Sequence, residues 1–366
     1  MDIAIRTLAA SYLHNVTVDR NVVIALVALA IVAPTVIAQE HSRAIRSTAA
    51  TQAIKNGIHL DVAGPTGWPK DKISYKPEQL DAIRAAGFKT VRYFIAAGDN
   101  PASHQPRIDD ALKRGLSVVI CLWGRSEWVR NPETGVDAFR EIWGKLATHY
   151  RGYPSRLVFE LLNEPGALIV SKGKTQGLSE LEAMKFLNAA IPTIRKTNPN
   201  RLLAIGGPGF NTGKDLDAFV TPTNLTYRLP DGSGFAEDEN IIGCFHLYEP
   251  KPFTHWTKPL GQIPNWKKDV TQQMDHVAAW SRKWKKPVLL SEWGAWKPPK
   301  HTVADYKTYL TFVSRQCRAR RIPTIFYCAG YNADWSFNIL GADGKLDETA
   351  INAIIRDSGA SEPTKH

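Results

Sequence analysis

The chain is poor in sulfur: its 366 residues include only 4 Cys and 3 Met. So few cysteines at this length exclude a small scaffold stapled by disulfides. Cys121, Cys244, Cys317 and Cys328 show no C-x-x-C spacing, and no His-x-His pair occurs, so the usual cysteine or histidine metal sites lack their ligand patterns. A dinucleotide-binding turn is missing as well, because Gly64-Pro65-Thr66-Gly67 lacks the G-x-G-x-x-G spacing. Acidic residues are the minority, 35 Asp and Glu against 46 Lys and Arg, for a net charge of +11. That excess implies attraction to anionic surfaces or acidic polysaccharides. Its local clusters, at Lys267-Lys268, Arg282 to Lys286 and Arg315 to Arg321, fall in helical patterns and read as solvated faces. No nucleic-acid-binding module accompanies them.

Long apolar runs are also scarce, with one exception. Val22 to Val32 reads VVIALVALAIV, preceded by Arg6 and Arg20 and followed by Pro34 and the small residue Ala38. This is the layout of a secretory signal peptide cleaved after Ala38. The alternative is an uncleaved anchor, since Val22 to Ala38 gives 17 residues, at the short edge of a membrane span. Both readings place the remainder outside the cytoplasm, as a secreted or periplasmic protein or one anchored and facing outward. The chain then divides into a leader (1–38), one domain (39–357) and a frayed tail (358–366). Strand-like surroundings mark Cys121, Cys244 and Cys328 as buried free thiols.

What the sequence has in quantity is alternation. Short apolar runs recur at 58–64, 90–96, 117–123, 156–162, 201–207, 241–248, 287–293 and 323–329. Helical patterns separate them, at 77–87, 137–150, 179–197 and 270–284 among others. Near-continuous apolar strands alternating with helices predict a parallel sheet covered on both faces. Eight such units predict a closed (β/α)8 TIM barrel, with a doubly wound open sheet as the alternative.

Barrel enzymes build their sites at the C-terminal ends of the strands. The fourth run ends Asn163-Glu164-Pro165 and the seventh Ser291-Glu292-Trp293; the sixth ends His246-Leu247-Tyr248. Arg92 sits inside the second run, where a buried guanidinium demands an anion, and Glu292 is the predicted partner. Each residue has a plainer reading: Glu164 as a helix-start acid, Glu292 as a strand-end ion pair, His246 as a satisfied core residue. Converging on one barrel mouth, they suit cleavage of a glycosidic bond by two carboxyl groups. Glu160 is expected to pair inside the barrel.

At this point the chain resembles glycoside hydrolase family 5, the cellulase-like branch of the retaining (β/α)8 glycosidases. The resemblance rests on VRYFIA, FELLNEP, AIGGPGFN, FHLYEP and LLSEWG in that order, over residues 55–345. It implies that Glu164 is the acid/base, Glu292 the nucleophile, and that no metal or organic cofactor is needed. It further implies that Asn163 meets the sugar 2-hydroxyl, Arg92 braces the nucleophile, Tyr248 hydrogen-bonds Glu292, and His246 positions the acid/base or the sugar. The implied activity is an endo-β-glucanase on β-1,4-glucan. Alternatives are β-mannanase or β-1,3-glucanase chemistry, or a non-catalytic carbohydrate-binding barrel. Two departures stand out. The His usual at the end of the third strand is replaced by the stretch Cys121-Leu122-Trp123-Gly124, and the Trp usual at the end of the eighth by Tyr327, with Trp335 as another candidate.

The 11 Trp invite a last expectation. Trp68, Trp123, Trp128, Trp256, Trp266, Trp293, Trp296 and Trp335 follow strand ends, where indole faces could stack on pyranose rings. Trp123, Trp293 and Trp296 are the leading stacking candidates, with Tyr327 beside them. The sequence leaves the oligomeric state open.

Overall fold

The structure, a computed structural model, describes residues 54–60, 76–171, 174–329, 336–341 and 343–357. The apolar run at 22–38, the tail at 358–366, Trp68 and Trp335 lie outside the described residues. The strands are β1 (Gly57–Leu60), β2 (Thr90–Ala96), β3 (Ser117–Trp123), β4 (Leu157–Asn163), β5 (Ile169–Ser171), β6 (Lys174–Gln176), β7 (Leu203–Ile205), β8 (Ile241–Leu247), β9 (Val288–Trp293) and β10 (Thr324–Ala329). All but β5 and β6 close into a parallel barrel in the order β1-β2-β3-β4-β7-β8-β9-β10. β5 and β6 form a separate antiparallel hairpin after β4, which the sequence patterns did not reveal.

The helices are α1 (Pro77–Ala85), α2 (Pro101–Lys113), α3 (Ser126–Arg130), α4 (Pro132–His149), α5 (Glu180–Arg195), α6 (Gly213–Phe219), α7 (Lys251–Thr254), α8 (Trp266–Trp284), α9 (Val303–Ala319) and α10 (Glu348–Ile351). Their starts follow local chemistry. Asn100, Asn131, Ser179, Thr212 and Thr302 accept backbone N–H groups at the N-caps, and proline opens α1, α2 and α4, where its missing N–H costs nothing. No helix among the described residues is long and apolar enough to cross a membrane.

Strand alternation sorts the core into two layers. Val118, Phe159, Phe245 and Leu290 face the helices, whereas Val119, Val158, Ala204, Ile242, Leu289 and Ile325 fill the barrel interior. Two residues further along β3, β4 and β8, the inward positions become Cys121, Glu160 and Cys244, all fully buried. A polar layer therefore rests on the apolar plug, directly beneath the mouth.

Two strands break their alternation at that level. In β4, Cys121 pairs with Glu160 but Trp123 pairs with Asn163, so β4 holds one extra residue. Leu161 and Leu162 both join the outer core as a result. The displaced carbonyls are still satisfied: Trp143 Nε1 donates to Leu161 O (3.0 Å) and Asn211 Nδ2 to Leu162 O (3.4 Å). In β9, Leu290 pairs with Phe245 and Glu292 with His246, so an extra residue is accommodated around Ser291. Each irregularity resets which side chain enters the mouth, the usual effect of a β-bulge.

Candidate active site

Arg92 is the hub. Fully buried on β2, it donates through Nε and Nη2 to both oxygens of Glu160 (2.7 and 3.0 Å), through Nη1 to Glu292 Oε1 (2.6 Å), and through Nη2 to Asn163 Oδ1 (2.9 Å). Cys121 Sγ lies 3.2 Å from the same Nη2. A guanidinium has only donors, so its bond to Asn163 fixes the amide with Oδ1 inward, leaving Nδ2 for other partners. His59 Nδ1 completes the shell at 3.2 Å from Nη1. His59 did not stand out in the sequence reading. The available signal was a lone polar residue between Ile58 and Leu60, in register with Arg92 on the next strand.

The two strand-end glutamates meet across the mouth through His246. His246 Nδ1 lies 2.8 Å from Glu164 Oε1 and 3.5 Å from Glu292 Oε2, while Nε2 stands 3.9 Å from Glu160 Oε1. The Tyr248 hydroxyl donates to Glu292 Oε2 at 3.1 Å. Glu292 is thus held at both oxygens, and Glu164 reaches the same centre from the opposite side. Glu164, His246 and Glu292 each place one polar atom within 4.8 Å of the others.

The charges follow from this packing. Burial opposes the His246 imidazolium, but the Glu292 carboxylate, with Glu160 and Glu164 close by, overrides it and pushes its pKa from 6.5 up to about 10. Burial likewise opposes ionisation of Glu292, yet His246 and Arg92 hold its carboxyl below the usual carboxylate range. Glu160 is held well below that range by Arg92 and His246 against the same burial cost. Burial and the Glu292 charge raise the Tyr248 phenol, which keeps it a donor. The three-residue cluster has the spacing of a metal site. Its atoms are already engaged with one another, however, His246 Nδ1 with Glu164 Oε1 at 2.8 Å.

Glu164 is held by its backbone. It adopts φ 37° and ψ 66°, left-handed values uncommon outside glycine, at the start of a short helical turn over Pro165–Ala167. The following Gly166 donates its N–H to Gly209 O (2.7 Å), and Leu178 donates to Pro165 O (2.8 Å). A Cβ on Gly166 would lie 2.6 Å from Gly209 Cα, so this approach requires glycine. The Gly209 loop also carries Asn211, whose carbonyl accepts the His246 N–H (2.8 Å). Asn211 is a second residue that sequence reasoning passed over, although its motif AIGGPGFN was noted.

The aromatics divide. Trp123 is half-buried at the mouth, in register with Asn163, with its ring edge-on to Phe94 (4.8 Å). Trp296 is half-buried and, like Tyr248 and Tyr327, packs against the buried pair Cys328 and Phe337. Tyr327, also half-buried, lies 5.1 Å from the His59 ring. Trp256 is 61% exposed. The stacking expectation for Trp293 is corrected: it is fully buried and edge-on to Phe326 (5.3 Å, 88°). With Glu292 turned into the mouth, its neighbour must face outward into the helix layer. Trp128 and Trp266 are core residues too, the first against Phe139 and Phe186, the second opening α8 against Phe312.

Residues 47–333 match the sequence model of the family Cellulase (glycosyl hydrolase family 5). The chain belongs to this family. It is 27% identical over 252 residues to Endoglucanase H of Acetivibrio thermocellus, covering 64% of this chain and 25% of that much longer protein. It is 25% identical over 343 residues to Endoglucanase A of Paenibacillus barcinonensis, covering 80% and 82%. A mutant form of Cel5A from Thermotoga maritima, solved with cellobiose, superposes with a TM-score of 0.70 at 24% identity over 84% of this chain and 98% of that one, a likeness of fold. As a family member the chain is a glycosyl hydrolase with the (β/α)8 barrel expected from the strand rhythm.

Proposed function

We propose that the protein is a retaining endo-β-glucanase that hydrolyses β-1,4-linked glucan, with Glu292 as nucleophile and Glu164 as acid/base. The observation that carries this reading is the approach of a Glu164 and a Glu292 carboxylate oxygen to within 4.8 Å. Retaining enzymes separate their carboxyl groups by about 5–5.5 Å, inverting ones by about 6.5–9.5 Å to admit a water. Arg92 anchors Glu292 Oε1, so Oε2, held by the Tyr248 hydroxyl, is the attacking atom. It bonds to the anomeric carbon as the glycosidic C–O bond breaks, and Glu164 gives its proton to the leaving oxygen. Glu164 then takes a proton from water, which attacks the same carbon and frees Glu292. Asn163, fixed by Arg92, offers Nδ2 to the sugar 2-hydroxyl. Trp123, Trp296 and Tyr327 present aromatic surface to pyranose faces around the mouth. The named relatives are endoglucanases, which supports glucan over other β-glycans.

The test is release of reducing ends from a panel of soluble β-glucans and β-mannan, with wild type beside Glu164→Ala and Glu292→Ala. We expect cleavage of β-1,4-glucan by wild type and a loss of at least about 10⁴-fold in Glu292→Ala. Binding without cleavage across the panel would identify a non-catalytic barrel instead.

A further inference from the structure

The end of the barrel opposite the carboxylates carries a ring of exposed cations. Because the barrel strands are all parallel, the turns that precede them lie at one end of the molecule. Exposed basic residues sit there before β1 (Lys55), β2 (Lys89), β3 (Lys113), β4 (Arg151), β7 (Lys196), β9 (Lys283) and β10 (Arg321). Among the described residues of these turns, only the one before β8 is acidic, with Glu237 exposed and Asp238 buried against Arg195. The basic runs Arg282–Lys286 and Arg315–Arg321, read from sequence as solvated helix faces, feed this ring from the ends of α8 and α9. A cavity of about 350 Å³ opens within it, where Lys55, Arg318 and Arg321 meet the apolar walls of Ile54, Ile322 and Ile354. The Ser314 hydroxyl, on the same cavity, is buried and has no hydrogen-bond partner among the described residues.

The chain enters the barrel at this same end. Ile54 follows the apolar run at 22–38 by a short connection that adds Arg43 and Arg46. We propose that the basic end of the barrel docks on an anionic phospholipid bilayer, headgroup phosphates pairing with the cation ring, so that the substrate mouth faces away from the membrane. Nothing in the hydrolytic reading requires this ring, so the two stand or fall separately. Clustered Lys and Arg are attracted to anionic headgroups, and the attraction fades within a Debye length.

Backbone hydrogen exchange of the full chain tests this, on vesicles of phosphatidylcholine alone and with about one third phosphatidylglycerol. The apolar run can carry the chain to either vesicle; the ring is read from the amides of turns 86–89, 113–116 and 196–201. We expect exchange there to slow by about fivefold on the anionic vesicles only, and the effect to vanish at about 0.5 M NaCl. The variant Lys55→Glu/Lys89→Glu/Lys196→Glu should lose this protection while still cleaving soluble substrate as wild type does. Equal exchange on both vesicles, or protection that survives the charge reversal, overturns the proposal. Loss of protection to millimolar inorganic phosphate at matched ionic strength also overturns it, by assigning the cavity to a free anion.

Discussion

At the residue scale, one guanidinium organises the candidate site. Arg92 was legible because charge inside an apolar strand must be paired, and its alternation with Val91 and Tyr93 aimed it inward. The identity of its partners was only half legible. Its pairing with Glu160 as well as Glu292 depends on three strands sharing one level, which no local pattern states. Removing it takes away the bidentate partner of the fully buried Glu160 and leaves only His246, 3.9 Å away, so Arg92→Ala should cost about 3–5 kcal/mol in chemical denaturation. His246 makes a second residue-scale prediction. Its folded pKa of about 10 lies above its ordinary 6.5, so its stabilising contribution is complete below 6.5 and lost as pH rises through about 10. Denaturant midpoints should therefore drop between about pH 6 and about pH 10 in wild type, and drop less in His246→Asn. Glu292 and Glu160 act in the opposite sense: their depressed values stabilise above 4.5 and give way as pH falls through the folded values.

At the scale of elements, the runs of apolar residues located all eight barrel strands, because strands buried on both faces have no polar phase to confuse them. Phase within a strand was not legible at the two ends that matter most. Period-2 alternation from Leu289 would turn Glu292 outward; the extra residue near Ser291 turns it in. The same irregularity in β4 breaks the alternation that would have linked Glu160 to Glu164, and a left-handed turn then delivers Glu164 to the mouth. Trp293 was a stacking candidate for its place beside Glu292, and the same phase turns it into the outer core. The turn itself depends on glycine against glycine, so Gly166→Ala should displace Glu164 and lower kcat by about 10²-fold, with a smaller change in KM. Steady-state kinetics on a soluble glucan reads that split; unchanged kcat would show that the turn tolerates a side chain.

At the scale of the whole molecule, the barrel separates stability from chemistry along its axis: apolar plug, then polar layer, then open mouth. The four cysteines belong to the packed part, all of them buried. A thiol reagent should therefore find none in the native protein and all 4 after denaturation. Early labelling of Cys121 would contradict a closed barrel.

The central claim is that Glu292 and Glu164 act as nucleophile and acid/base. An activated 2-deoxy-2-fluoro-β-cellobioside, which slows breakdown of the glycosyl-enzyme more than its formation, tests it by peptide mapping. A single glycosyl adduct on the peptide containing Glu292 is expected, absent when Glu292→Ala is treated alike. An adduct on Glu164 or Glu160, or turnover with no adduct and an inverted product, contradicts the assignment.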